Sequence, residues 1–184
     1  MTYYGPKELA ESFRTVRKNT ILVAEDIPES QYNFKAAEDV RTVEKMLTHL
    51  ALATRFQIEL HGSKRLTLEG FDFMKFFQEL SAEEAKPRTK AEVIELLKTE
   101  GEKWASFVDG VEEKSLSEVI TMPPGGTPPQ RSRVDMMLAV KEHEMHHRGQ
   151  LMLIERILGI VPHLTRNMQA RMAAAQAAQA KTAN

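Results

Sequence analysis

The spacing of apolar residues is helical along almost the whole of this 184-residue chain. From Pro6 to about Ile27, apolar side chains recur at steps of three and four, which places them on one face of a helix. The same spacing predicts a second helix from about Asp39, as its N-cap, to Leu60, and a short aromatic-rich helix from Leu68 to Leu80. No segment alternates convincingly enough to predict a strand.

Two further long helices complete the pattern. One begins near Thr89, which forms a capping box with Glu92, and extends to about Val111. The other runs from about Ser132 to Leu158 and is followed by a glycine. Residues 122–129 between them hold four prolines and two glycines, so this segment is predicted to be a loop. The chain is therefore predicted to be all-α: a four-helix bundle with a short extra helix and long loops.

The predicted bundle occupies residues 1–165 and leaves a C-terminal tail, residues 166–184. The tail is rich in alanine and glutamine, so its helix propensity is high. It has almost no bulky apolar stripe, however, and therefore little with which to pack against the bundle. We interpret residues 166–184 as an appendage or frayed helix.

Charge and composition exclude several classes of function. Lys and Arg together number 25 and Asp and Glu 26, so no overall field favours nucleic acid as a partner. The chain shows no apolar run long enough to cross a bilayer and no N-terminal leader pattern, which predicts a cytoplasmic protein without a membrane partner. It also has no cysteine, so a tightly bound transition metal would need His, Asp or Glu as ligands.

The last long helix carries three histidines within five residues. His143 and His147 are separated by four positions and lie on the inward face of the helix, whereas His146 lies on a more polar line. Buried imidazoles are costly unless they are hydrogen-bonded or bound to a metal. His143 and His147 are therefore candidate metal ligands, and His146 is predicted to be a bystander.

His49 is the natural third ligand. It lies at or beside the buried seam of the second predicted helix, so an inward histidine on one helix can meet an inward pair on another. Three imidazoles leave at least one coordination position open, which is typical of catalytic zinc sites. Zinc suits such ligands best, and nickel or iron would also fit.

Several simpler interpretations compete with this site. The histidines could form a surface cluster. His143, Glu144 and His147 also match the His-Glu-x-x-His pattern of zinc peptidases, but that pattern needs a larger domain with a sheet edge. Glu144 lies one residue off the inward line and is expected to be solvated or to pair with Arg148.

Other candidates have plain structural interpretations. His61 and His163 lie at predicted helix ends, where capping or dipole roles are expected. Trp104 and the phenylalanines between residues 71 and 77 are expected to be core.

Four segments resemble the DinB/YfiT-like family of metal-binding four-helix bundles: residues 12–20, 24–28, 46–50 and 142–151. The resemblance extends over about residues 5–165. It implies a metal held by His49, His143 and His147, the same three residues that the helix phase favours. It also implies chemistry with small thiols, since related members are thiol-dependent S-transferases or isomerases.

Three hypotheses for function follow. The first is a metal-dependent enzyme that transfers the sulfur of a low-molecular-weight thiol to a small-molecule substrate. The second is a non-catalytic metal-binding or stress-response protein. The third is hydrolysis by a metal-bound hydroxide, with Glu144, Glu142 or Glu44 as general base.

Further expectations concern the surroundings of the site. Gln150, a weak catalytic candidate together with Glu144, is predicted to orient a ligand histidine, and Gly149 to allow close helix approach. Residues 122–129 are expected to rim the access route. Bundles with apolar stripes often pair, so a homodimer is expected.

Overall fold

This computed structural model describes residues 4–182. Within this range the chain forms six α-helices and one small pair of strands. The elements in chain order are α1 (Pro6–Asp26), α2 (Val43–Gly62), α3 (Phe73–Ala85), α4 (Lys90–Asp109), β1 (Val119–Thr121), β2 (Gln130–Ser132), α5 (Arg133–Ile157) and α6 (His163–Thr182). Short 3-10 turns occupy Glu29–Gln31 and Glu113–Ser117.

The long helices α1, α2, α4 and α5 form the predicted four-helix bundle. Both α1 and α2 pack along α4 and along α5, so the order around the bundle is α1, α4, α2, α5. The diagonal pairs are therefore α1 with α2 and α4 with α5. This arrangement makes α2 and α5, which carry the candidate histidines, direct neighbours.

Side-chain caps define where the helices begin. The hydroxyl of Thr89 accepts from the backbone N–H of Glu92 in the predicted capping box, and Ser132 caps α5 as expected. The start of α2 was predicted wrongly, because Thr42 and not Asp39 is its N-cap: the Thr42 hydroxyl accepts from the backbone N–H of Lys45 at 3.1 Å. Both residue types cap well, so local sequence does not choose between them.

Helix α3 differs most from its prediction. It begins at Phe73 instead of Leu68 and ends at Ala85 instead of Leu80, and none of its residues is fully buried. The ring of Phe56 on α2 contacts the phenylalanine rings of α3 and of the segment before it, with centroid distances of 5.4–6.0 Å. Phe77 remains 47% exposed. Because α3 packs mainly on α2, its phenylalanines are at most partly buried, in contrast to Trp104, which is buried as predicted.

The two short strands were not predicted. β1 and β2 pair antiparallel with Ile120 opposite Arg131, and residues 122–129 form the predicted loop between them. Three residues per strand are too few to show an alternating pattern, so the sequence carries no clear strand signal here.

The C-terminal helix α6 extends past the bundle. Residues 166–180 are exposed, in keeping with an appendage, while the division at residue 165 stays a prediction. None of the helices within residues 4–182 is long and apolar enough to cross a membrane.

Candidate metal centre

Three imidazoles from two neighbouring helices meet at one point. His49 lies in the second turn of α2, and His143 and His147 lie on consecutive turns of α5. Their ring centroids are 4.7–5.2 Å apart, and one nitrogen from each ring lies within 4.8 Å of the other two. The structure thus brings together the three residues that the sequence singled out.

The spacing suits a shared metal ion. Two nitrogens bound at about 2.1 Å to one ion in tetrahedral geometry lie roughly 3.4 Å apart. The Nε2 atoms of His49 and His143 are 3.2 Å apart. At this separation the two nitrogens share a hydrogen bond if exactly one of them carries a proton. If neither carries a proton, both lone pairs can bind one ion.

Hydrogen bonds from two of the rings set their orientation and tautomer. The Nδ1 of His49 lies 3.2 Å from Oε2 of Glu84, and the Nδ1 of His147 lies 2.8 Å from Oε1 of Gln150. Both oxygens are acceptors, so each Nδ1 carries the proton and donates. The Nε2 lone pairs are then left free, as in metal sites whose ligand histidines are fixed by an outer hydrogen bond.

Burial keeps the imidazoles of His143 and His147 uncharged. It lowers the pKa of His143 to about 4, together with the nearby rings of His147 and His49. Burial also lowers the pKa of His147, partly offset by the hydrogen bond to Gln150. At neutral pH both rings are therefore neutral bases, the form that binds metal.

Glu84 is the residue of this site that the sequence analysis missed. Burial alone would raise the pKa of Glu84, but the hydrogen bonds from His49 and Arg41, together with the charge of Arg41, lower it to about 2. The Nε of Arg41 donates to its Oε1 at 2.6 Å. The predicted end of α3 at Leu80 placed Glu84 in a loop, so no periodicity linked it to His49.

A lysine fixes the end of α3 that carries Glu84. The ammonium of Lys45 donates to the backbone carbonyls of Glu84, Ala85 and Lys86 at 2.9, 3.1 and 3.0 Å. These carbonyls lie at the C-terminal end of a helix, where a cation is favoured. Lys45 is one turn before His49 on α2, so one helix positions both partners of the His49–Glu84 hydrogen bond.

Behind the histidines lies a buried ion pair between Arg17 of α1 and Glu144 of α5. The Nε of Arg17 donates to Glu144 at 2.9 Å, and its two Nη atoms donate to the carbonyls of Leu97 and Leu50 at 2.8 and 3.0 Å. One guanidinium thus joins all four bundle helices, and its α2 partner Leu50 directly follows His49. The side chain is only 4% exposed, and that of Glu144 only 2%.

The expectation that Glu144 is solvated or pairs with Arg148 was wrong. Helix α5 packs against both α1 and α2, so its buried arc is wider than a single inward line and includes position 144. A carboxylate that is fully engaged by Arg17 is a structural anchor and not a free base.

The remaining histidines lie outside the cluster. His146 is exposed, as predicted for a bystander. His61 and His163 lie at helix ends but are buried: the Nδ1 of His61 accepts from Arg133 at 3.0 Å, and the Nε2 of His163 lies 3.2 Å from Asn19 Oδ1. Burial and the charge of Arg133 lower the pKa of His61 to about 3, so it is neutral and does not act as a dipole charge.

Two expectations about the surroundings were also wrong. A Cβ at Gly149 would have no heavy atom of the described chain outside its own helix turn within 4 Å, so this exposed glycine does not serve close helix approach. A cavity of about 280 Å³ opens beside His49 and His143, and its described lining comes from α2, α3 and α5 without residues 122–129. The loop therefore does not rim it.

We compared the chain with models of protein families and with known proteins. Residues 12–151 match the family model of the DinB superfamily. In sequence, the chain is 24% identical over 152 residues to the protein YjoA of Bacillus subtilis (strain 168), covering 83% of this chain and 90% of that protein.

Solved structures share the fold. A DinB-like protein from Bacillus cereus ATCC 10987 superposes with a TM-score of 0.65 at 14% identity, covering 88% of this chain and 97% of that one. YfiT from Bacillus subtilis, described as a probable metal-dependent hydrolase with an unusual four-helix bundle topology, has a TM-score of 0.63 at 16% identity, covering 87% and 91%. The crystal structure of YjoA gives 0.62 at 21% identity, covering 83% and 92%.

Proposed function

The chain belongs to the DinB superfamily, and from this membership together with the geometry of the three imidazoles we propose that it is a metal-dependent enzyme acting on small molecules. His49, His143 and His147 would hold a divalent metal ion, with zinc as the preferred ion and nickel or iron as alternatives. The observation that carries the proposal is the orientation of the rings: Glu84 and Gln150 hold two Nδ1 atoms so that the Nε2 lone pairs remain free.

An open coordination position favours catalysis over a purely structural role. Among residues 4–182, only these three histidines lie close enough together to share a metal ion at this site. No fourth His, Asp or Glu side chain joins them. When bound, a divalent ion with an open position supplies Lewis-acid chemistry, lowering the pKa of a water or thiol that occupies it.

The carboxylates near the site favour a thiol over water as the nucleophile. Glu144 is engaged by Arg17, Glu44 is buried beside Lys45, and Glu142 is exposed and outside the cavity lining. None of these three predicted bases lines the cavity beside the histidines. A thiol bound to such a metal ion is deprotonated outright, whereas bound water still titrates at about pH 7, so a nearby base matters more for water than for the thiol.

The proposed reaction is therefore S-transfer from a low-molecular-weight thiol. The thiol loses its proton to solvent and its sulfur forms a bond to an electrophilic carbon of the second substrate. The bond between that carbon and the leaving group breaks, and the leaving group departs with the bonding electron pair. The chain would bind the thiol at the open position and hold the second substrate in the neighbouring cavity. Hydrolysis is the second candidate, supported by the description of the structurally similar YfiT.

Metal binding is tested by equilibrium dialysis against Zn²⁺ followed by elemental analysis. We expect one ion per chain in the wild type and affinity lower by more than about tenfold in His49→Ala. His146→Ala is the matched control, since His146 is an exposed neighbour outside the cluster. Full zinc binding by His49→Ala, or equal loss in His146→Ala, would contradict the proposed site.

Activity is tested on the zinc-loaded protein with N-acetylcysteine and 1-chloro-2,4-dinitrobenzene, by following thioether formation and loss of free thiol. Turnover is expected in the wild type and in His146→Ala but not in His49→Ala. Hydrolysis of p-nitrophenyl acetate by the same three proteins tests the second candidate. Ester hydrolysis that requires His49, without thioether formation, would reverse the order of the two candidates.

A further inference from the structure

A second cavity, of about 390 Å³, lies where α2 and α4 end and α5 begins. His61, which lines this cavity, follows His49 on α2 by twelve residues. Arg133, on the opposite wall, precedes His143 on α5 by ten residues. At a rise of about 1.5 Å per residue, the cavity is therefore about 15–18 Å from the candidate metal centre along the helix axes. Its described lining includes none of the three candidate ligands.

One wall of this cavity is aromatic. Phe107 of α4 lines it and stacks on Trp104, with ring centroids 5.8 Å apart and planes inclined by 22°. Trp104 is buried, whereas Phe107 is half-buried. Val111 and Met137 add apolar surface, and a Cβ on Gly62 would lie 3.8 Å from Cε2 of Phe107. The wall thus offers a flat apolar surface against which an aromatic ring can pack.

Most of the charge in the lining is already paired. The Nε and Nη2 of Arg133 donate to Oε2 of Glu118 at 2.9 and 2.7 Å, and the Nζ of Lys114 lies 2.7 Å from Oε2 of Glu112. Lys64 is the remaining charged residue of the described lining, and its ammonium has no hydrogen bond or ion pair with any described residue. Because the two pairs cancel, the lining keeps one positive charge.

The backbone at Lys64 adopts an uncommon conformation. Its φ of 52° lies in the left-handed region, which glycine and asparagine adopt more readily than lysine. A lysine is therefore unfavourable for this backbone, yet it supplies an ammonium to the cavity. Ser115 also lines the cavity, and its hydroxyl has no hydrogen bond among the described residues. Lys64 and Ser115 thus offer unused donors, which match the acceptor oxygens of a carboxylate.

We propose that this second cavity binds a small aromatic carboxylate. The ring would lie against Phe107, and the carboxylate would accept hydrogen bonds from Lys64 and Ser115. One net positive charge matches a monoanion, whereas the nearby carboxylates of Glu112 and Glu118 would repel a phosphate dianion. The site is independent of the proposed function, because the three candidate metal ligands belong to the other end of the bundle.

The experiment uses two probes that differ in charge. 3-Phenylpropionate carries a carboxylate, and 3-phenylpropanamide presents the same ring and chain as a neutral amide. Trp104 is the only tryptophan of the chain and stacks on Phe107, so its fluorescence reports binding at this wall. Isothermal titration calorimetry measures the affinity independently. We expect the full-length protein to bind the carboxylate about fivefold more tightly than the amide, and added salt to reduce this preference, since the Lys64 ammonium is exposed.

Three variants locate the site. Lys64→Asn removes the ammonium and keeps a residue that tolerates the left-handed backbone, so it should fold and bind both probes equally. Lys98→Asn is the matched control, since Lys98 is an exposed lysine of α4 outside this cavity, and it should keep the preference. Gly62→Leu places a larger side chain against Phe107 and should weaken the binding of both probes by more than about tenfold.

Several results would overturn the proposal. These are equal affinity of the wild type for the two probes, an unchanged preference in Lys64→Asn and undiminished binding in Gly62→Leu. Calorimetric binding without a change in Trp104 fluorescence would place the probe elsewhere and overturn it too. Zinc dialysis of the same proteins tests the metal centre separately. Zinc binding without probe binding would refute the second site alone, and probe binding without zinc binding would refute the metal centre alone.

Discussion

Burial removes the hydrogen bonds that a polar side chain makes with water. Three groups of polar side chains in this bundle differ in which bonds replace them. The candidate ligands His49 and His147 donate to Glu84 and Gln150. Glu144 is paired with Arg17. Glu155, fully buried on α5, has no hydrogen-bond partner for either carboxylate oxygen among the described residues. These differences make separate predictions for single side chains.

Gln150 is expected to support metal binding through His147. Gln150→Leu removes the acceptor of the His147 Nδ1 proton, so the ring loses its fixed orientation and tautomer. We expect zinc affinity to fall by about 10-fold or more, measured by competition with a chelating dye. His146→Ala, which removes the other ring that Gln150 contacts, should leave the affinity unchanged. Unaltered affinity in Gln150→Leu would exclude this role.

Glu155 is expected to make stability depend on pH. Burial raises the pKa of Glu155 to about 7, and Asp26 adds to the effect. Between pH 4.5 and 7 the folded state keeps a proton that the unfolded state releases, so the free energy of unfolding falls as pH rises through this range. Above pH 7 the loss is complete and amounts to on the order of 3 kcal/mol.

Glu155→Gln removes this titration without changing the shape of the side chain. The variant should match the wild type near pH 4.5 and exceed it in stability at pH 8. Urea unfolding of both proteins at four pH values from 4.5 to 8 measures the difference. A difference that stays constant with pH would show that Glu155 does not titrate in the folded protein as stated.

At the scale of elements, close approach between α1 and α4 depends on Gly101. A Cβ at this position would lie 2.8 Å from Cγ of Arg17 and 3.3 Å from its Cδ. Arg17 cannot swing away freely, because its guanidinium is bonded to Glu144 and to the backbone of α2 and α4. The glycine therefore makes room for the side chain that joins the four helices.

Gly101→Ala and Gly149→Ala form a matched pair of helix-interior substitutions. Gly101→Ala should destabilise the fold by about 1–3 kcal/mol, since overpacking displaces Arg17. Gly149→Ala meets no neighbouring atom and should stabilise it by about 0.5–1 kcal/mol through helix propensity alone. Urea unfolding measures both changes. Equal stabilisation by the two variants would contradict the packing argument.

At the scale of the whole molecule, the bundle and the C-terminal helix contribute unequally to stability. Residues 166–180 are exposed along α6, although Arg166 pairs with Asp26 of α1 at 2.7 Å. The exposed apolar side chains of α5 and α6 include Leu153, Ile157 and Met168. The homodimer expected from the sequence stays a prediction, and sedimentation equilibrium tests it against the chain mass of 20.9 kDa.

A chain ending at Ala170 keeps the Arg166–Asp26 ion pair and removes most of the tail. We expect its melting temperature to differ from that of the full chain by less than about 3 °C, because residues 171–180 are exposed and each contributes little. Thermal unfolding followed by circular dichroism measures the change. A much larger decrease would mean that the tail is part of the folding unit.

Local sequence was sufficient to identify the four long helices and to select the two candidate ligands on α5. Periodicity of 3.6 residues identified α1, α2, α4 and α5 and separated His143 and His147 from His146, because a helix fixes the relative directions of its own side chains. Helix ends were less certain, as the choice between Asp39 and Thr42 shows. The strands β1 and β2 were too short to leave a pattern.

What the sequence by itself determined is the set of amphipathic helices and which histidines lie on their buried faces, since both depend on spacing within one helix. Only the tertiary structure decided that α2 and α5 are neighbours, that Glu84 of α3 holds His49 and that Glu144 pairs with Arg17. Those contacts join residues 35 and 127 positions apart. They depend on how whole helices pack, and no periodicity within a single segment encodes that packing.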